Sequence, residues 1–314
     1  MTDRTIDITI SEVGPRDGLQ SISEIMPTAA KKAWIEAQFN AGTPEIEVGS
    51  FVPASLLPQM ADTADVVEFA KTLRGLTIAA LVPNLKGLQN AVAKGPHKIS
   101  IPFSMSESHS LRNVRKTHAQ MLDEIRRCIE FLETVPTAHR PKFEVGLSTA
   151  FGCTIEGPVP EDRVVHMAET VIAMGADEVG LSDTTGYGNP AQLERLARGI
   201  WAACGRDRLT GVHLHNTRGQ GLANALRAIE LGFTTVDTSL GGLGGCPYAP
   251  GASGNIVTED LVWMLESMGV RTGIDLEQLL EVRRLVADAL PGEQLYGFLA
   301  AVGLPKGYIS SKVA

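Results

Sequence analysis

The chain is poor in the features that mark several large protein classes. Its four cysteines, Cys128, Cys153, Cys204 and Cys246, are widely spaced and form no Cys-x-x-Cys pair. That excludes a disulfide framework or a zinc-knuckle pattern and favours free thiols in a reducing compartment. Aromatic residues are scarce at 5%, and Lys plus Arg total 28 against 36 for Asp plus Glu, a net charge of -8. An acidic chain lacks the electrostatic footprint of a general nucleic-acid binder. No apolar run reaches the length of a membrane span. The first residues, Met1-Thr-Asp-Arg-Thr-Ile-Asp7, show neither a secretory h-region nor an Arg/Ser-rich transit pattern, so a cytoplasmic protein is expected. No Gly-x-Gly-x-x-Gly follows the first strand-like run, which weakens a dinucleotide-binding reading.

What is present is an alternation. Eight short β-branched apolar runs, at 8–14, 45–51, 77–83, 98–104, 142–151, 178–184, 209–216 and 235–241, are separated by helical patterns at 29–41, 61–73, 85–93, 115–132, 160–174, 190–203 and 220–231. Glycines such as Gly42, Gly175 and Gly232 stand where helices would end. Eight βα repeats predict an α/β fold, a (β/α)8 TIM barrel, in place of an open doubly wound sheet. A single domain over residues 1–314 is expected, with the barrel over about 6–241, a glycine-rich loop over about 241–254 and extra C-terminal helices over about 255–314.

In such a barrel the chemistry gathers at the C-terminal ends of the strands. Arg16 and Asp17 follow the first run, Glu47 and Ser50 lie on the second, Asp183 ends the sixth and His213 and His215 end the seventh. A His-x-His pair on a strand points both rings to one face. With Asp17 it makes a mixed oxygen and nitrogen set for a divalent cation, and Asn255 could add an amide. Such a set without thiolate suits Mg2+, Mn2+, Fe2+ or Co2+ better than structural zinc. Arg16 could hold a carbonyl or enolate oxygen, and Glu47 would be its ion-pair partner. After the eighth run comes Gly241-Gly-Leu-Gly-Gly-Cys-Pro-Tyr-Ala-Pro-Gly251, a glycine-rich loop carrying Cys246. A thiol on a loop is more exposed to chemistry than a buried one. Glu259 and Asp260 read as first-turn charges of a helix. His97, His109, His118, His139 and His166 show no ligand spacing and read as surface or loop residues.

The segments Glu12-Val-Gly-Pro-Arg-Asp-Gly-Leu-Gln20, Glu47-Val-Gly-Ser-Phe-Val52, Pro83-Asn-Leu-Lys-Gly87, Leu181-Ser-Asp-Thr184, Val212-His-Leu-His215, the loop 242–248 and Gly251-Ala-Ser-Gly-Asn255 with Thr258-Glu-Asp-Leu-Val262 resemble the 3-hydroxy-3-methylglutaryl-CoA lyases over nearly the whole chain. The resemblance implies a homodimeric, metal-dependent carbon–carbon lyase acting on an acyl-CoA thioester, with leucine degradation as the natural setting. It places metal on Asp17, His213, His215 and Asn255, and catalysis on Arg16, Glu47, Cys246, Asp183 and Glu259. Asp183 or a histidine near it would remove the hydroxyl proton. Gln20, Ser50, Asn216, Arg218 and Gly146 are expected to bind substrate.

Two segments depart from the family's pattern. His215-Asn216-Thr217-Arg218-Gly219 stands where many members have His-Asp-Thr-Tyr-Gly, and Phe143-Glu-Val-Gly-Leu-Ser148 lacks the basic and aromatic residues of the well-known lyases. Glu144, Gly146, Asn216 and Arg218 are therefore the positions expected to set the acyl group. The alternatives are a lyase for a related thioester such as citramalyl-CoA, giving pyruvate and acetyl-CoA, and a condensing aldolase or synthase on the same barrel. The cysteine loop argues against the latter.

Overall fold

A computed structural model of the chain describes residues 6–244 and 254–308. Cys246 and the rest of the predicted loop from Gly245 to Ser253 lie outside the described residues. Eight strands, β1 (Thr9–Glu12), β2 (Glu45–Ser50), β3 (Thr77–Leu81), β4 (Lys98–Ser104), β5 (Lys142–Ser148), β6 (Glu178–Asp183), β7 (Gly211–Leu214) and β8 (Thr235–Thr238), pair in parallel and in chain order. β8 closes on β1 in the register Ser11 opposite Asp237, which makes the (β/α)8 barrel. All eight predicted runs contain a strand.

The helices outside the barrel are α1 (Thr28–Asn40), α2 (Thr63–Ala70), α3 (Leu85–Val92), α4 (Glu107–Asn113), α5 (His118–Thr134), α6 (Glu161–Ala173), α7 (Pro190–Cys204) and α8 (Gly221–Leu231). Their termini follow from side chains and turns. Asn84 and Asn189 accept backbone N–H bonds at the starts of α3 and α7, and Gly232 ends α8 in the left-handed region at φ 98°. The expected helix from 115 is displaced. Arg115 has φ 59°, so it cannot be helical, and Thr117 with Gln120 forms a reciprocal capping box that starts α5 at His118. The long fourth interval also holds α4, capped by Ser106.

As predicted, helices continue past the barrel: α9 (Thr258–Ser267), α10 (Leu276–Ala289) and α11 (Phe298–Val302). The main apolar core runs from Ile8 to Leu299, with Trp34, Phe103 and Phe143 fully enclosed, and a smaller cluster around Ile35, Ile46 and Ile78 packs α1 and α2 on β2 and β3. The main core is built by alternation along each strand: Ile99, Ile101 and Phe103 of β4 face the helices. The residues between them face inward, and there the barrel is polar. Glu45, Glu47, Lys98, Glu144, His213 and Asp237 all border an internal cavity of about 710 Å3. Layers of branched aliphatics usually fill this space.

Candidate active site

The cavity opens at the C-terminal ends of the strands. Directly after β1 the chain makes one π-helical turn, Gly14–Gly18, which sets Arg16 and Asp17 on the rim. Glu12 fixes this turn by accepting the Gly14 N–H at 2.9 Å, and a Cβ on Gly14 would lie 2.5 Å from the Glu12 carboxylate and 2.8 Å from the Trp34 ring. Only glycine fits there.

Arg16 is almost fully enclosed. Its Nε donates to Glu47 at 2.5 Å and its Nη1 to Asp17 at 2.5 Å. Burial opposes its charge, but the two carboxylates more than offset this and raise its pKa. Burial raises the Glu47 pKa above the usual carboxylate value, and the Arg16 guanidinium offsets part of that rise. Asp17 is also burdened by burial, yet Arg16 and the two histidines hold it below the usual carboxylate range.

His213, on β7, and His215, just past its end, sit on the same side of the cavity as Asp17, two residues apart. Their Nε2 atoms face each other at 3.1 Å, and each lies 4.0 Å from Asp17 Oδ2. Two imidazole nitrogens and a carboxylate oxygen converging on one point is a candidate metal centre. The His213 Nδ1 is 3.1 Å from Asp237, an orienting carboxylate that turns Nε2 towards the cluster. Burial, with the neighbouring His213, lowers His215 to about 3, so this ring is neutral and has a lone pair to offer. Burial likewise disfavours charge on His213, but Asp237 and Asp17 reverse this and raise its pKa.

Asn255 completes the cluster. It is fully buried, its Nδ2 is 2.7 Å from Asp17 Oδ2, and its Oδ1 has no partner among the described residues. A half-turn of the amide would point that orphaned oxygen at the same centre. The backbone beside it demands glycine: a Cβ on Gly244, at φ 104°, would stand 2.9 Å from Asn255 Nδ2 and from the Gly18 Cα. On the far side of the cysteine segment, the Gly254 carbonyl accepts the Asn216 N–H at 2.8 Å. Both flanks of that segment therefore border the cluster.

The other predicted residues divide into two groups. Gln20 and Gly146 border the cavity, and Gln20 also donates to Asp17 at 3.2 Å. Ser50 is fully buried; a bulge between Glu47 and Ser50 shifts the register so that it pairs with Leu81, and its hydroxyl has no partner among the described residues. Asp183, Asn216, Arg218 and Glu259 do not border the cavity. Asp183 accepts the N–H groups of Tyr187 and Gly188 at 2.9 Å each and thereby fixes the turn after β6, with burial raising it to about 6 against those bonds. Asn216 accepts the Gly221 N–H, while Arg218 donates to the carbonyls of Thr185 and Gly186 and stacks on Tyr187. Glu259 accepts the Gly241 N–H at 2.9 Å and pairs with Arg283 at 2.7 Å, which ties α10 to the base of the cysteine loop. Asp183 lies on β6 one place past Ser182, which does border the cavity, and each of the four is bonded to a neighbouring loop or helix.

Several wall residues went unpredicted. His109 is not a surface residue: it is buried on α4, borders the cavity and bonds Ser104 at 3.1 Å. Asp237 and Lys98 had a signal, a charged residue at an inward position of a strand. Arg112, in the last turn of α4, and Arg115 and Lys116, just after it, line the cavity, and their closeness in sequence could have been read as an anion site.

The HMGL-like family model matches residues 7–286. The chain belongs to the HMGL-like family. It is a carbon–carbon lyase of the hydroxymethylglutaryl-CoA lyase type. It is 38% identical to the hydroxymethylglutaryl-CoA lyase of Bacillus subtilis over 283 residues, 90% of this chain and 93% of that one. It is 41% identical to the mitochondrial hydroxymethylglutaryl-CoA lyase of Arabidopsis thaliana over 273 residues, 87% of this chain but only 57% of that protein's length. Among solved structures, the HMG-CoA lyase of Acinetobacter baumannii in complex with coenzyme A and 3-methylmalate superimposes with a TM-score of 0.89 at 36% identity, covering 98% of this chain and 99% of that one.

Proposed function

We propose that this HMGL-like protein cleaves 3-hydroxy-3-methylglutaryl-CoA to acetoacetate and acetyl-CoA, with Mg2+ or Mn2+ held by Asp17, His213, His215 and Asn255. The observation that carries this is the convergence of the two facing Nε2 atoms and Asp17 Oδ2 beside the buried Arg16–Glu47 pair, on one cavity wall. A bound divalent ion would hold the substrate's hydroxyl oxygen and lower its pKa.

The chain's own groups do the rest. Loss of the hydroxyl proton lets the C2–C3 bond break to a ketone and a thioester enolate. Arg16 meets the enolate oxygen: Glu47 and Asp17 occupy two of its five N–H groups, fixing the guanidinium while others remain to donate. Cys246 protonates the enolate carbon. Asp183 supports the site by holding the turn after β6, since its carboxylate is already committed to two backbone N–H groups. At the mouth, Arg112, Arg115 and Lys116 supply positive charge for a phosphorylated carrier. The positive φ of Arg115 places backbone strain at that point, as functional loops often do. The protein acts as one domain and, by resemblance to its family, as a homodimer. The free thiols of Cys128, Cys153 and Cys204 suit a reducing cytoplasm.

Product analysis tests this reading. Incubation of 3-hydroxy-3-methylglutaryl-CoA with the protein and Mg2+ or Mn2+ should release acetoacetate and acetyl-CoA in equal amounts. Absence of cleavage refutes it, and pyruvate plus acetyl-CoA from citramalyl-CoA in its place would reassign the substrate.

A further inference from the structure

The cavity continues below the metal cluster into the barrel. There the inward positions of three neighbouring strands form an unbroken row of glycines: Gly146 on β5 pairs with Gly180 on β6, which pairs with Gly211 on β7. None of the three has a left-handed φ. A Cβ on Gly146 would meet only the Ile101 carbonyl, at 3.8 Å, and one on Gly211 only Thr235, at 3.7 Å. At Gly180 the place of a Cβ is taken by the Glu144 carboxylate, whose Oε1 would stand 2.5 Å away, so the open space of the row lies at Gly146 and Gly211 with this carboxylate between them. Neither backbone conformation nor packing therefore requires glycine at Gly146 or Gly211, and glycine within a strand weakens it. The space itself is what the row provides.

Beneath the row the floor is charged and reached by solvent. Lys98 Nζ is 2.8 Å from Glu144, 3.3 Å from Glu178 and 3.8 Å from Glu45, so three carboxylates surround one ammonium. The side chains of Lys98 and Glu144 keep 17% and 16% of their surface exposed, and both border the cavity. A negatively charged group would be repelled here and a bare hydrocarbon end would strip water from carboxylates. A hydroxyl suits the floor, since it donates to a carboxylate. From the level of His213 to that of Gly211 is two residues of strand, about 6.6 Å, the reach of a chain of a few carbons.

We propose that the Gly146–Gly180–Gly211 row is a second acyl compartment, and that the protein also cleaves 3-hydroxyglutaryl-CoA thioesters whose C3 bears, in place of methyl, an uncharged chain ending in a hydroxyl. This rests on the lyase reading above. The step is unchanged: the C2–C3 bond breaks, the C3 hydroxyl proton goes to the enzyme, C2 receives a proton from Cys246, and the products are acetyl-CoA and a 3-oxo acid that keeps the side chain. No electrons are exchanged with any other reactant.

The test is kcat/KM for synthetic thioesters bearing methyl, 4-hydroxybutyl or 3-carboxypropyl at C3, with wild type and Gly146→Leu. Wild type should cleave the hydroxybutyl substrate within about tenfold of the methyl one and disfavour the carboxypropyl one by about 100-fold. Gly146→Leu should lower the hydroxybutyl-to-methyl ratio by about 100-fold, whereas a merely structural defect would lower both alike. Methyl cleaved with hydroxybutyl inert overturns the proposal and leaves the lyase reading standing; neither cleaved overturns both. An unchanged ratio in Gly146→Leu also overturns it, and if that variant does not fold the wild-type panel still decides.

Discussion

At acid pH, replacing Glu12 by glutamine should destabilise the fold by about 2 kcal/mol, because this one carboxyl group joins four elements. Oε1 accepts the N–H groups of Gly14 at 2.9 Å and Leu240 at 2.8 Å, and Oε2 accepts from Thr258 at 2.8 Å and Gln38 at 3.1 Å. Backbone donors cannot reverse, so the glutamine oxygen must take the Oε1 place and its NH2 the Oε2 place. The Thr258 hydroxyl can turn to accept, but the Gln38 amide then faces a second donor. One buried donor left without an acceptor costs about 1–3 kcal/mol. For a chain of this size that lowers the thermal midpoint by roughly 3 °C. The pH dependence has a definite sign. Burial pushes Glu12 up to about 8, against the bonds from Leu240, Thr258 and Gly14. With the folded-state pKa above the unfolded one, the native state holds the extra proton. Its contribution is full below pH 4.5 and falls as pH rises to 8, at no more than about 1.4 kcal/mol per pH unit. Glutamine does not titrate, so the wild type's lead over Glu12→Gln should shrink as pH rises and reverse within that window, because the full loss of about 5 kcal/mol exceeds the roughly 2 kcal/mol lead. Urea denaturation at pH 5, 6.5 and 8 measures it. Equal midpoints at all three values, or a wild-type lead that grows with pH, would refute the reasoning.

Asp237→Asn removes the carboxylate that orients His213 and should weaken Mn2+ binding by about 10–100-fold, measured by titration of the metal-free protein; unchanged affinity would show that His213 is oriented otherwise. Cys246→Ser should slow turnover greatly at unchanged metal content, and metal loss in that variant would mean the thiol is a ligand. Gly146→Ala should raise stability by about 0.4–1 kcal/mol, since its Cβ meets open space; a lower denaturation midpoint would show that the position is already filled. Arg283→Met leaves the fully buried Glu259 without its cation and should cost about 3 kcal/mol, read from the denaturant midpoint.

The strand and helix pattern was legible because both obey local rules. Eight β-branched runs and the glycines after the helices needed no long-range information, and eight repeats imply closure. Errors came where a single residue outweighed the pattern, as Arg115 does in moving the start of α5 to His118. The candidate metal cluster was legible for a related reason: a His-x-His pair keeps both rings on one face whatever the strand's neighbours are. By itself the sequence therefore determined the barrel, the end of it that carries the chemistry, and the family. The tertiary structure alone decided which polar ends reach the cavity. Asp183, Asn216, Arg218 and Glu259 sit in motifs as suggestive as Asp17's, yet their partners are backbone groups and Arg283. His109 and Asp237, unmarked by any spacing, stand on the wall. Only the tertiary structure, too, aligned Gly146, Gly180 and Gly211 across three strands. Closure and register set which residues face one another, and no local pattern in the chain records either.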